Sequence, residues 1–220
     1  DVRGRNILEL GCGAGEASVY FAKLGALVTA TDISGGMLEV VGRVAERHRV
    51  VVQICKCFSD NLPFEDESFD IVYAANLLHH VELEQTLAEA RRVLRDGGIF
   101  VCWDPLAHNP LINVYRRMAT QVRTVDEHPL EMSDLKCFRA FFSQVTYEAT
   151  WFFTLWIFLR FYLIERIDPN KERYWKKILL EHKRLEPMYR GLELCDRLLL
   201  SLFPFLKRYC WNIVVICKKT

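Results

Sequence analysis

Short apolar runs alternate with amphipathic stretches through the first half of the chain. Asn6-Ile7-Leu8-Glu9-Leu10 is a compact run that stops at glycines, the mark of a buried parallel strand. Residues 16–24 carry Ala17, Tyr20, Phe21 and Leu24 at helical spacing, and Gly25 supplies a C-terminal cap. Strands are predicted at 26–31, 50–57, 69–75 and 99–103. A helix capped by Ser34 runs to about His48, and another covers 83–94 and closes at Asp96-Gly97-Gly98. This alternation predicts a parallel sheet with right-handed crossovers. In the second half, helices are predicted at 110–121 and 133–142 and strands at 144–153 and 211–218, with a mostly helical stretch between those strands. The fold class expected is therefore doubly wound α/β, a Rossmann-like seven-stranded sheet with a helical insertion before the last strand. The corresponding division is 1–153 with 211–220 for the sheet domain and 154–210 for the insertion.

Composition narrows the partners. Lys plus Arg (29) and Asp plus Glu (28) nearly cancel, so no basic excess points to nucleic acid. The chain begins at Asp1 with a strand almost at once, which suggests that residues precede it in the natural protein. No charged, apolar and small-residue series reads as a secretory signal, and a cytoplasmic location is expected. The eight cysteines include no CxxC pair. Cys55 and Cys57 share a strand face, but their spacing alone does not make a zinc site, and no metal is expected. Free cysteines of this kind act as small buried hydrophobes in a reducing compartment.

The chemistry concentrates in Glu9-x-Gly11-x-Gly13-x-Gly15, placed after a strand and before a helix. Glycines there let the backbone turn sharply and approach a ligand closely. The dinucleotide fingerprint G-x-G-x-x-G fails in both frames, because its third glycine falls on Glu16 or on Ser18. A carboxylate at Glu16 would repel a pyrophosphate at the helix N-terminus, which disfavours a nicotinamide-dependent oxidoreductase. Asp32, at the end of the second strand, suits the two hydroxyls of a ribose, although an acid there also serves as a helix cap. Glu9 adds negative charge near a cationic ligand, or is an ordinary strand-end acid.

Together with Leu62-Pro63-Phe64, Ser68-Phe69-Asp70, Leu78-His79-His80 and Leu94-Arg95-Asp96-Gly97-Gly98, these residues resemble the class I S-adenosylmethionine-dependent methyltransferases, in particular the small-molecule and lipid group called the type 11 methyltransferase domain. The resemblance covers about residues 5 to 105. It implies that Gly11, Gly13 and Gly15 cradle the methionine part of S-adenosylmethionine, that Glu9 orders the turn and that Asp32 holds the ribose. Ile33 and Met37 would pack on the adenine, and Asn76 would line the sulfonium side. The family usually carries an acid four positions before its Leu-Pro pair. Phe58 stands there and can stack on the adenine, but it cannot accept a hydrogen bond from it.

Methyl transfer is an in-line displacement in which positioning supplies much of the rate, and a base is needed only for an acceptor that must lose a proton. Ligands in open α/β sheets sit beyond the carboxyl ends of the strands. That places His79, His80, Asp104 and His108 near the reacting atoms, with His80 and Asp104 the leading candidates for catalysis. His128 joins them from a polar segment that also holds Arg116, Arg117, Arg123, Asp126 and Glu127, read either as an acceptor-pocket wall or as an Arg–carboxylate cluster that pins a loop. From Thr154 to Cys210 the insertion carries twelve Lys or Arg against seven Asp or Glu, a net +5, around two apolar runs. Those runs suit a packed helical lid or peripheral contact with a membrane surface. The function expected is transfer of the S-adenosylmethionine methyl group to a small-molecule or lipid-like acceptor. The alternative is a non-catalytic S-adenosylmethionine-binding protein of the same fold.

Overall fold

Ile7, Leu8 and Leu10 are fully buried and Glu9 nearly so. Successive strand side chains point to opposite faces, so a strand buried at every position is covered on both sides. In the computed structural model, which describes residues 1–118, 127–168 and 174–220, this strand, β1 (Asn6–Leu10), lies at the centre of a seven-stranded sheet. With β2 (Leu27–Asp32), β3 (Val52–Lys56), β4 (Phe69–Ala75), β5 (Leu94–Pro105), β6 (Gln144–Thr150) and β7 (Asn212–Lys218), the order is β3-β2-β1-β4-β5-β7-β6. The pairs β1–β2, β1–β4, β2–β3 and β4–β5 are parallel; Ile7 stands opposite Val28 on one side and Ile71 on the other. The edge strand β3 is half exposed, as its position requires.

The chain divides into two compact units. Asp1–Asp104, Ser133–Glu148 and Val214–Thr220 form one, and Pro105–Met132 with Ala149–Ile213 form the other. In the first, α1 (Glu16–Lys23) and α2 (Gly35–His48) pack on each other and on the β2 side of the sheet. Gly25, at a φ of 88°, ends α1 in the left-handed conformation that glycine reaches at no steric cost. Ser34 caps α2 by accepting the Met37 N–H at 3.3 Å. Helix α3 (Leu83–Val93) contributes Glu89 and Arg92, which pin the loop before β4. Glu89 accepts the Leu62 N–H at 2.8 Å, and Arg92 donates to the Leu62 and Phe64 carbonyls at 2.9 and 2.8 Å. The Leu-Pro-Phe segment is thus held by a half-buried fork of hydrogen bonds. A short helix, α5 (Leu135–Phe141), brings Phe138 against Phe100 of β5.

Two boundaries differ from expectation for tertiary reasons. The strand expected at 99–103 begins at Leu94, because Gly97 N–H donates to the Lys219 carbonyl and Lys219 N–H donates to the Gly98 carbonyl, which carries the pairing through the glycines. The helix expected from 133 begins at Leu135, after a 3-10 turn at Met132–Asp134.

The second unit is helical. Helix α4 (Pro110–Met118) is capped by Asn109, whose Oδ1 accepts the Ile112 N–H at 2.9 Å while its amide donates to the Tyr209 carbonyl at 2.6 Å. The last three residues of the helix expected over 110–121 lie outside the described residues, as do Arg123 and Asp126. Between β6 and β7 run α6 (Trp156–Leu163), α7 (Tyr174–Leu180) and α8 (His182–Leu202). Ile112, Leu155, Ile157, Phe158, Phe161, Tyr174 and Leu185 form one core cluster. Asp196, an acid among the leucines of α8, is buried. It accepts the Phe152 and Phe153 N–H groups at 3.0 and 2.5 Å and the Thr154 hydroxyl at 3.1 Å, and so caps the turn that leads into α6. Among the described residues, no helix is long and apolar enough to cross a membrane.

Candidate active site

The carboxyl ends of five adjacent parallel strands gather the residues that the sequence singles out. The glycine turn follows β1, Asp32 ends β2, Phe58 follows β3, Asn76 follows β4 and Asp104 lies near the end of β5. Gly11, Gly13 and Gly15 all have positive φ, at 62°, 50° and 78°. Gly15 and Gly13 stand in different surroundings. A Cβ on Gly15 would meet Val41 of α2 at 2.8 Å, so the turn packs directly on that helix. A Cβ on Gly13 would meet nothing within 4 Å and would project into open space, where a ligand can lie against the backbone.

Asp32 ties the turn to the neighbouring strand. Its Oδ2 accepts the Gly13 N–H at 2.9 Å and its Oδ1 accepts the Ser34 N–H at 2.8 Å. A carboxylate has about four acceptor sites, so each oxygen keeps one for a further donor such as a vicinal hydroxyl. Ser34, not Asp32, caps α2, which frees Asp32 from that duty. Ile33 just after Asp32, Met37 in the first turn of α2 and Phe58 just after the paired strand β3 are 61%, 45% and 65% exposed, three apolar side chains on segments that leave this end of the sheet. That set fits a flat apolar ring carried on a diol. Glu16 opens α1, so its carboxylate opposes a phosphate at that helix N-terminus. Asn76 is exposed with a φ of 52°, and its N–H donates to the Trp103 carbonyl at 2.8 Å, which fixes the end of β4 to β5.

Glu9 lies beneath the turn rather than in it. Its side chain accepts the hydroxyl hydrogen of Ser18 from α1, and its carbonyl accepts that of Thr31 at 2.9 Å. Burial pushes its carboxyl up to about 7, with the Ser18 hydrogen bond opposing and the Asp32 charge adding to the rise. The same surroundings push the Cys12 thiol up to about 12. Cys57 is also pushed up to about 12, by burial and its neighbour Cys55. All eight cysteines are free, and four are buried.

At the β4 and β5 ends, Asp104 pairs with His79. The Nδ1 of His79 is 2.7 Å from Asp104 Oδ1, and its backbone N–H donates to the same oxygen at 3.3 Å. Both residues are buried, and Asp104 Oδ2 has no hydrogen-bond partner among the described residues. His80 is exposed on the same 3-10 turn, its ring 4.0 Å from that of His79. The pattern Leu-His-His offered both histidines; the phase of the turn decides between them. His108 and His128 belong to the helical unit, where His108 lies 3.9 Å from Glu131.

Residues 8–102 match the family described as a methyltransferase domain. A demethylmenaquinone methyltransferase of Clavibacter sepedonicus is 42% identical over 103 residues, 46% of this chain and 42% of that protein. A sterol 4-C-methyltransferase of Caenorhabditis elegans is 30% identical over 109 residues, 46% of this chain and 31% of that protein. This chain therefore spans less than half the length of either relative. The structure of phosphoethanolamine N-methyltransferase 2 of Haemonchus contortus, in complex with S-adenosyl-L-methionine, shares the fold at a TM-score of 0.65 and 20% identity over all of this chain and 50% of that one.

Glu9 links the site to stability. Its folded carboxyl holds a proton up to about pH 7, against 4.5 for a free side chain, so the folded state binds more protons between those values. The stability it contributes is complete below pH 4.5 and is lost as pH rises through 7, at most about 3 kcal/mol. Urea unfolding from pH 5 to 8 should show this decline in the wild type, and Glu9→Gln should flatten it. An unchanged slope in Glu9→Gln would place the titration elsewhere.

Proposed function

We propose that this chain, whose residues 8–102 belong to the methyltransferase domain family, binds S-adenosylmethionine and transfers its methyl group to an amphiphilic, lipid-like acceptor. The observation that carries the proposal is Asp32, with one open acceptor position on each oxygen, bonded to the open-faced Gly13, at the same end of the sheet as the exposed Ile33, Met37 and Phe58. A ribose diol, an amino-acid tail and an adenine match those three surfaces. No phosphate is called for, and Glu16 opposes one. When bound, the cofactor supplies an electrophilic methyl group on a sulfonium. The protein's part is to hold the nucleoside, align the acceptor and take a proton where the acceptor has one to lose.

The proton acceptor in this scheme is His79. Asp104 fixes its ring through Nδ1 and stabilises the imidazolium that forms, which leaves Nε2 for the acceptor. The names of the relatives, which specify a menaquinone precursor and a sterol, both largely hydrocarbon, support this acceptor class. In an assay with methyl-tritiated S-adenosylmethionine and a panel of a prenylated hydroquinone, a sterol and phosphatidylethanolamine, label should enter the organic phase. Asp104→Asn should lower kcat about 10²-fold or more and alter the pH–rate profile, with cofactor affinity unchanged. Label confined to protein or nucleic acid would overturn the acceptor class. Equal loss of cofactor binding in Asp104→Asn would make Asp104 structural.

Peripheral membrane contact belongs to the same proposal. Along α8, Leu194, Leu198 and Leu202 are 55%, 58% and 73% exposed at four-residue spacing, and exposed Phe203 and Phe205 extend the stripe to Lys207 and Arg208. An exposed apolar stripe that ends in cations suits an anionic lipid surface. Flotation with vesicles containing phosphatidylserine should recover the wild type, and Leu198→Glu with Leu202→Glu should lose recovery. Equal flotation of both proteins, or none of either, would remove this contact.

A further inference from the structure

The helical unit contains a cavity of about 200 Å³ that the nucleoside site does not use. Its walls are α4 and α6. Ile112, Leu155 and Tyr174 are almost completely buried at its base, and Val114 and Leu163 are 54% and 61% exposed at its mouth. Phe158 and Tyr174 pack edge to face with ring centroids 5.4 Å apart, and Tyr115 lies within 5.6 Å of both. The Tyr174 hydroxyl is already committed, donating to the Ile167 carbonyl at 2.6 Å. No charged side chain is among the described residues that line the cavity.

This chemistry selects one kind of occupant. Water needs two to four polar partners, and the lining offers almost none. A peptide would bury backbone N–H and C=O groups without acceptors or donors to meet them, and a helix, at about 10–12 Å across, is too wide for the space. Sugars and nucleotides fail for the same lack of polar partners. A hydrocarbon chain has no such requirement. An apolar cavity of about 150 Å³ is large enough for benzene, so this one takes a segment of about eight carbons. Ile112, Tyr115, Leu155, Phe158 and Tyr174 of its lining belong to the apolar cluster that forms the core of the unit, so that part of the wall is held by packing rather than by the ligand. The open, apolar mouth lets a chain enter while its polar end stays in water.

We propose that this cavity is a binding site for the alkyl or prenyl chain of an amphiphile. Its ligand's identity as the methyl acceptor rests on the function proposed above; its selection of a hydrocarbon chain does not.

Calorimetric titration with butan-1-ol, hexan-1-ol and octan-1-ol tests it on the full chain. Affinity should rise about fourfold for each added methylene until the cavity is filled. Leu159→Trp, which fills the cavity from α6, should weaken octan-1-ol at least tenfold. Val114→Trp, which narrows the exposed mouth without touching the core, should do the same if Leu159→Trp fails to fold. S-adenosylmethionine titrated into the same proteins should bind alike in all of them. Absence of octan-1-ol binding to the wild type, or equal binding by wild type and folded variants, would overturn the proposal. Failure of S-adenosylmethionine to bind would instead strike the methyltransferase reading and leave the alcohol series intact.

Discussion

Asp32 reaches from the end of β2 to accept the Gly13 backbone N–H, and this bond constrains everything at that edge of the sheet. It ties the middle of three alternate positive-φ glycines to β2 and keeps the open face of Gly13 beside the carboxylate. Beneath it, Glu9 is anchored by Ser18 of α1 and Thr31 of β2, so the turn rests on hydrogen bonds to both neighbouring elements. Strand β1 can carry these duties because it is buried on both faces and paired on both edges. A site built on such a strand is positioned by the core of the domain, not by the loop that displays it.

Much of this was legible in the sequence because the signals are local. Apolar runs that stop at glycine, helical spacing after them and an acid at the next strand end mark the strand–turn–helix unit within some thirty residues. What escaped depends on distant partners. The start of β5 at Leu94 needs the Lys219 backbone, which lies at the other end of the chain. Which histidine meets Asp104 depends on the phase of a 3-10 turn, and Leu-His-His carries no mark of that phase. Asp196 had a visible signal, a lone acid in a leucine-rich helix, but the N–H groups it binds are more than forty residues earlier. The apolar cavity could not be read at all, since its walls come from α4 and α6, each of which looks like ordinary core.

The family match ends at residue 102, and the helical unit lies outside it. The glycine turn and Asp32 therefore fall within the matched segment, while the cavity and the exposed stripe of α8 lie beyond it. That division agrees with the general rule that function resides in sites placed on a common fold.

Calorimetric titration of the purified chain with S-adenosylmethionine, S-adenosylhomocysteine and NAD, with Asp32→Ala measured alongside, tests the central claim most directly. The account predicts binding of the first two ligands, loss of both in Asp32→Ala, and no binding of NAD, because Glu16 opposes a pyrophosphate at the helix N-terminus. Binding of NAD alone, or binding of S-adenosylmethionine that Asp32→Ala leaves unchanged, would contradict it.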